Sequence, residues 1–381
     1  MSDFAHLIAD AATPHLDTSV IFDRERFPNL VTLRDGTILA TWGTTRLLSR
    51  RSCDGGETWE PVVEIGEGIQ GGGTLVDEGS GDVLAFTHPE HPPKEGDFAP
   101  RTQYRSSDAG RSWQAEDATF LPDVNGHVPS LAYSERGITI EYGRRAGRLI
   151  RPARVYGQSA ESPAVPYNGR RDGYNTAIFS DDHGRTWQPS KPFPIPGTGE
   201  GCIEQRRDGR LYYSSRKHSF ADDETRTPMR LHAWSDDGGE TWIEPAYHQA
   251  LPDGPRYRGE ERRASCWNGH FGMAGGLTRL RRDDQDIFIY SNTDQPEHTR
   301  HRMTVWASFD GGRTWPIKRL IDEGPAAYSS LTAGRPDTPS DGWVYLLIER
   351  WGDQAGAIGP EGCGEMVRFN LAWLAEGESA E

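Results

Sequence analysis

Apolar residues along this 381-residue chain fall in short runs broken by Asp, Gly, Pro and Ser, and sustained helical spacing is almost absent. From Val20 onward the pattern reads strand, turn, strand. Asn29-Leu30-Val31-Thr32-Leu33 is followed by Arg34-Asp35-Gly36 as the turn, then by Thr37-Ile38-Leu39-Ala40-Thr41-Trp42. The same unit returns between Gly201 and Arg216 around Asp208-Gly209, and again near Gly81-Asp82. Other strand-like runs, such as Thr176-Ala177-Ile178-Phe179 and Thr304-Val305-Trp306-Ala307, lead directly into Ser-x-Asp-x-Gly-x-(Thr/Ser)-Trp. That frame occurs five times, at residues 52–59, 106–113, 180–187, 235–242 and 308–315, with starts 54, 74, 55 and 73 residues apart. A repeat at such periods points to a propeller or a solenoid.

The frame has a mechanical reading. Its Ser and Asp side chains close a tight turn on nearby backbone groups, its fifth-position Gly supplies a positive φ, and its Trp anchors the turn in apolar space. Each box is therefore a hairpin corner, a staple rather than a catalytic or metal site. A strand pair with an Asp-Gly turn plus a strand pair with a box makes the four strands of a propeller blade. Five boxes and one boxless unit (residues 326–351 and 365–373) give an all-β, six-bladed β-propeller with five Asp-box repeats. The last blade is expected to borrow an N-terminal strand, since an open ring leaves an unpaired edge. Residues 1–19 read as an irregular lead-in, residues 371–374 as a short helix, and the chain, 1–381, as one domain.

Composition narrows the function. A formal charge of −15 argues against nucleic acid as a partner. Cys53, Cys202, Cys266 and Cys363 have no CxxC spacing and read as free thiols, and no cofactor or metal is implied. No apolar stretch is long enough for a membrane span. The segment Met1-Ser2-Asp3-Phe4-Ala5-His6 lacks a leader pattern, so a cytoplasmic location is the expectation, or a secreted one if a leader has been removed.

Four segments carry candidate chemistry: Arg26-Phe27-Pro28-Asn29-Leu30; Glu200 with Asp208-Gly209 and Arg216; Arg300 ahead of Met303-Thr304-Val305; and Ala327-Tyr328-Ser329-Ser330-Leu331 with Glu349. Taken singly, an arginine is usually a solvated charge and a strand tyrosine usually packing. In this order they resemble the sialidases (exo-α-neuraminidases), a family of six-bladed Asp-box propellers, over roughly residues 20–350. The resemblance implies that Arg26, Arg216 and Arg300 grip a substrate carboxylate, with Arg302 competing for the third place. It makes Tyr328 the nucleophile, Glu200 its catalytic partner, and Glu349 the residue that holds Arg26. Planar, permanently charged guanidinium groups suit bidentate binding of a carboxylate. A neutral tyrosine avoids the repulsion that a carboxylate nucleophile meets at an anionic sugar, and sialidases are known for a Tyr nucleophile.

The family's general acid, an Asp ahead of the first box, has no counterpart in Gly43-Thr44-Thr45-Arg46-Leu47-Leu48-Ser49-Arg50-Arg51. His88 and Glu90, on an expected blade-two loop, are candidate replacements, with His127 and His270 behind them. The leading expectation is retaining hydrolysis of a terminal α-linked sialic acid or related 2-keto-3-deoxy sugar acid, the substrate being such an acidic sugar or a sialoglycoconjugate. Two alternatives stand beside it: a hydrolase or lyase acting on uronic acid glycans, which a histidine acid favours, and a carbohydrate-binding propeller that lost its acid.

Overall fold

The computed structural model describes residues 13–89, 101–131, 135–156, 173–217, 229–253, 272–282, 285–294, 300–350 and 362–380. They form six sheets of four or five strands, arranged as a six-bladed β-propeller. Blade one comprises Asn29–Thr32, Ile38–Trp42, Arg46–Ser52 and Val63–Glu67. In blade two the inner pieces Ile69–Gln70 and Leu75–Val76 both pair with Val83–His88, followed by Thr102–Ser106 and Gln114–Glu116. Blade three runs Ile138–Thr139, Leu149–Val155, Tyr174–Ser180, Thr186–Pro189, with Thr119–Phe120 parallel to the last. Blade four is Thr198–Gln205, Leu211–Lys217, Met229–Ser235 and Ile243–Pro252. Blade five is Gly276–Arg282, Gln285–Thr293, His301–Ser308 and Ile317–Pro325, extended outward by Glu378–Ser379.

Blade six closes the ring. Ser329–Ala333, Trp343–Arg350 and Cys363–Asn370 are joined by the N-terminal strand Leu16–Asp23, antiparallel to Cys363–Asn370. Asp17 faces Arg368 in that register and accepts its Nη2–H at 2.7 Å. The strand thus begins at Leu16, inside the segment expected to be irregular. Only Ile21 and Phe22 of its eight residues are buried, as befits an outermost strand, so it carries little apolar signal. The expected short helix is present as Leu371–Ala375, its N-cap Asn370 side chain accepting Trp373 N–H at 2.9 Å.

The boxes connect the third strand of a blade to the fourth, and they repeat one hydrogen-bond pattern. In blade three Ser180 Oγ donates to Asp182 Oδ1 at 2.7 Å, Gly184 N–H donates to Ser180 Oγ at 2.8 Å, and Thr186 N–H donates to Asp182 Oδ1 at 2.8 Å. The fifth-position glycine has φ of +85° there, a conformation that strains other residues. Trp187 is fully buried against Phe86, and its indole N–H donates to Gln103 Oε1 at 2.8 Å.

Apolar packing lies between adjacent blades: Ile287, Val305, Leu331, Leu346 and Val367 join blades five and six. Ile150, Phe179, Leu211, Tyr213 and Trp242 do the same for blades three and four. Around the central channel the inner strands are tied by polar groups instead. Leu30 N–H donates to Ser330 Oγ at 2.9 Å, and hydroxyl pairs link Thr32 with Thr332 (3.0 Å), Thr41 with Thr74 (2.9 Å) and Ser291 with Ser329 (2.9 Å). This fixes the blades around the channel and so fixes what they present at its mouth.

Candidate active site

Arg26 reaches the channel through a bent connection from the closing strand Leu16–Asp23 to the inner strand of blade one. Arg24 and Phe27 both take positive φ, +56° and +66°, a costly conformation for bulky residues that commonly marks a functional site. The turn sets the Arg26 guanidinium 4.7 Å from the Phe27 ring centroid and 5.4 Å from that of Tyr328. Glu349, buried in the second strand of blade six, accepts both Arg26 Nε–H and, at 3.4 Å, Nη2–H.

Glu200 lies in the inner strand of blade four, where the pairing with Leu211–Lys217 shifts register between Thr198 and Gly201. Such an irregularity re-aims a side chain. One Glu200 oxygen pairs with Arg216 Nη1 from the neighbouring strand. The other accepts the Tyr328 hydroxyl at 2.8 Å, across 128 residues of sequence. Tyr328 immediately precedes the inner strand of blade six and is partly open at the mouth. Arg300 completes the ring from blade five, its guanidinium 5.5 Å from the Tyr328 centroid. Arg302, the competitor, has φ of +62° and turns outward to Glu323 and to the Asp294 carbonyl.

Arg154, which no motif marked, belongs to this group. It ends the apolar blade-three run Leu149-Ile150-Arg151-Pro152-Ala153-Arg154-Val155 and places Nη1 3.7 Å from the Glu200 oxygen that accepts Tyr328. Two arginines, Arg151 and Arg154, in an otherwise apolar strand were the available signal. The Arg154 guanidinium stacks over Tyr156 with 4.0 Å to the centroid. Among the described residues the mouth thus carries the four guanidinium groups of Arg26, Arg154, Arg216 and Arg300 against the two carboxylates Glu200 and Glu349. The surplus is positive and suits an anionic ligand.

The charges set the protonation states. Burial pushes the Glu200 carboxyl up, but Arg216 and Arg154 outweigh it and hold the group at about 2. Burial, followed by the Glu200 charge, pushes the Tyr328 phenol up to about 12. Burial lowers Arg300, and the nearby charges of Arg216 and Arg26 push the same way. The resting pair is therefore a phenol donating to a carboxylate, with cations around the phenol that favour its ionised form.

The candidate acids fare differently. His88 does not overhang the mouth: it is the last residue of the strand Val83–His88 and is buried. Pro89 explains this, because the residue before a proline favours extended backbone and prolongs the strand. Burial first, then Arg101 and Arg151, hold His88 well below the usual histidine range, so it has no proton to give at neutral pH. Glu90 and His270 lie outside the described residues. His127 is placed by its backbone N–H, which donates to Asp123 Oδ1 at 3.0 Å in a blade-three turn. Cys53, Cys202 and Cys363 are free thiols, and Cys266 lies outside the described residues.

A pocket of about 290 Å³ opens beside Tyr328, bounded by Phe27, Pro28, Gln70, Gly72, Glu135, Ala274 and Ser329. A larger space, about 560 Å³, lies at the other end of the channel. There the charges satisfy one another, with Arg136 on Glu204, Arg279 and Arg281 on Glu141, and Arg335 on Glu78. Of these two spaces the smaller is the one that adjoins Tyr328, the phenol around which the cations gather.

Comparison with known proteins bears on the family and the fold. The profile of the BNR repeat-like domain matches residues 69–338. A sialidase of Micromonospora viridifaciens is 28% identical over 385 aligned positions, covering 93% of this chain and 52% of that protein. A sialidase of Bacteroides fragilis (strain YCH46) is 26% identical, covering 81% and 57%. The chain thus spans about half the length of the curated relatives it matches. Among solved structures, the intramolecular trans-sialidase from Ruminococcus gnavus in complex with oseltamivir carboxylate superposes with a TM-score of 0.65 at 15% identity, covering 94% of this chain and 98% of that one. On the profile match, which takes in more than half of its residues, this chain belongs to the BNR repeat-like domain family, and its similar relatives there are sialidases.

Proposed function

We propose that this protein is a sialidase-like exo-glycosidase that cleaves a terminal α-linked sialic acid, or a related 2-keto-3-deoxy sugar acid, with retention of configuration. The observation that carries the proposal is the Tyr328 hydroxyl, hydrogen-bonded at 2.8 Å to an anionic Glu200 and flanked by Arg26, Arg216 and Arg300. The three guanidinium groups bind the sugar carboxylate and hold the ring with its anomeric carbon over the phenol. As the phenol oxygen bonds to that carbon, its proton passes to Glu200 and the bond to the aglycone breaks, its electrons leaving with the aglycone oxygen. Water then bonds to the anomeric carbon as the bond to the tyrosyl oxygen breaks. Glu200 returns its proton to the phenol, and the proton shed by the water passes to solvent, where it balances the one taken up by the departed aglycone oxygen. Fixed cations that favour phenolate in the transition state lower the barrier without moving.

Activated aryl glycosides leave without help from a proton donor, so they test this centre independently of the missing Asp. Wild-type protein is expected to release phenol from an aryl α-sialoside, with retained configuration by proton NMR, and Tyr328→Phe to abolish release. Binding that depends on Arg216 without turnover of any sialoside, keto-deoxy acid or uronide would instead establish a binding propeller. The uronic acid reading drew its support from a histidine acid, which the enclosed His88 does not supply.

A further inference from the structure

The pocket beside Tyr328 contains an ionisable side chain that the chemistry above does not use. Glu135 is almost fully buried, yet it bounds the pocket together with Phe27, Gln70 and Tyr328. It arrives there because blade two offers no side chains in its way. A Cβ on Gly72 would strike the Leu131 carbonyl and Arg151 Nη2, and one on Gly73 would strike the Glu135–Arg136 backbone. The glycines let the segment before strand Ile138–Thr139 lie directly on blade two, tied by Gly137 N–H to the Thr74 carbonyl at 3.1 Å. On the other side Glu135 N–H donates to the Gly201 carbonyl of blade four at 3.0 Å. Its carboxyl Oε1 accepts Ser330 Oγ–H at 2.5 Å and Leu331 N–H at 3.3 Å.

We propose that Glu135 is a substrate-contacting residue of this pocket, a neutral carboxylic acid that donates a hydrogen bond to an acceptor oxygen of the bound sugar acid and thereby helps select it. The inference rests on the sialidase-like reading of the site. Burial, opposed by the Ser330 hydrogen bond, pushes the carboxyl up to about 8, so at neutral pH it keeps its proton. With Oε1 occupied as an acceptor, the proton resides on Oε2. A protonated carboxyl offers a donor to a hydroxyl or acyl oxygen, and removing such a buried partner leaves the ligand's polar group unpaired. Ionisation would replace the donor with an anion in the pocket that takes an anionic sugar.

The groups facing Glu135 hold their charge across the relevant window. Arg136 adjoins it in sequence and is paired with Glu204. From blade four the Cys202 thiol is pushed up to about 12 by burial, and from blade six the Tyr328 phenol stands at about 12. From blade three Arg151, which touches the Gly72 position, is pushed down by burial, yet a guanidinium keeps its charge throughout this window. Between pH 6 and about 8.5 the titration of Glu135 is therefore the one expected in the pocket among the described residues.

The test is calorimetric binding of 2,3-dehydro-sialic acid to full-length wild-type, Glu135→Gln and Glu135→Met proteins between pH 6 and 8.8, with folding checked by near-ultraviolet circular dichroism. Wild-type Kd is expected to rise above pH 8 toward about tenfold per pH unit. Gln keeps a neutral donor at every pH, so its Kd should be flat over that range. Met, of similar shape without a donor, should weaken binding at pH 6 by roughly tenfold. A Gln variant that keeps the alkaline rise, or a Met variant that binds like wild type, overturns the assignment. So does a Met variant whose loss falls on kcat and grows with leaving-group basicity, because Glu135 would then be the leaving-group acid. No binding to wild type at any pH would bring down the sialidase-like reading itself, an outcome distinct from a pH-independent Kd.

Discussion

At the scale of single residues, the site is a device for keeping a phenol next to an anion while four cations surround both. Arg154 supplies part of what holds Glu200 at about 2, so its removal should raise that carboxyl. In the proposed mechanism turnover needs Glu200 ionised, and the acidic limb of the pH profile for kcat/KM should therefore move to higher pH in Arg154→Met, by about one unit. An unmoved limb would show that Arg154 only packs on Tyr156. Glu135 makes the opposite prediction for stability. Below an unfolded value of about 4.5 the carboxyl is neutral in both states; above it the unfolded chain ionises first, and the folded state loses ground until the pH passes about 8. Glu135→Gln should therefore gain stability relative to wild type progressively across that window, as read by urea midpoints.

At the scale of elements, legibility depended on how local each signal is. An Asp box closes within eight residues, and Ser52, Asp54, Gly56 and Thr58 form the predicted hydrogen bonds. Arg26, Glu200, Arg216 and Tyr328 were singled out by the resemblance of their short segments to the sialidases, and the fold brings the four together. Arg300 and Arg302 could not be separated, since residues two apart share a face of a strand; the left-handed turn at Arg302 decides between them. Arg154 and Glu135 were missed because their roles come from contacts between blades, 46 and 195 residues distant at Glu200 and Ser330. His88 was misplaced because Thr87-His88-Pro89 reads as a loop while the proline extends the strand. The box anchors give a stability test: Trp187→Ala empties a fully buried indole site and should cost about 3–5 kcal/mol in chemical denaturation. A loss below about 1 kcal/mol would mean the turn holds without its anchor.

At the scale of the whole molecule, six sheets meet the channel with their inner strands, and function depends on the ring staying closed. The closing strand Leu16–Asp23 also leads into the bend that presents Arg26, so closure and the proposed carboxylate site share one segment. Removing residues 1–23 should expose the edge of Cys363–Asn370, lower the melting temperature and promote self-association seen by light scattering. A truncated protein with unchanged melting temperature and sialoside turnover would show that closure contributes nothing. Side chains as far apart in sequence as Arg26 and Tyr328 face one another only because of that closure.

The most direct test of the central claim is a crystal structure of the protein soaked with 2,3-dehydro-sialic acid. One ligand carboxylate is expected within hydrogen-bonding distance of Arg26, Arg216 and Arg300, with the anomeric carbon facing the Tyr328 hydroxyl. A ligand bound away from these guanidinium groups, or seated with its anomeric carbon turned from Tyr328, would contradict that claim.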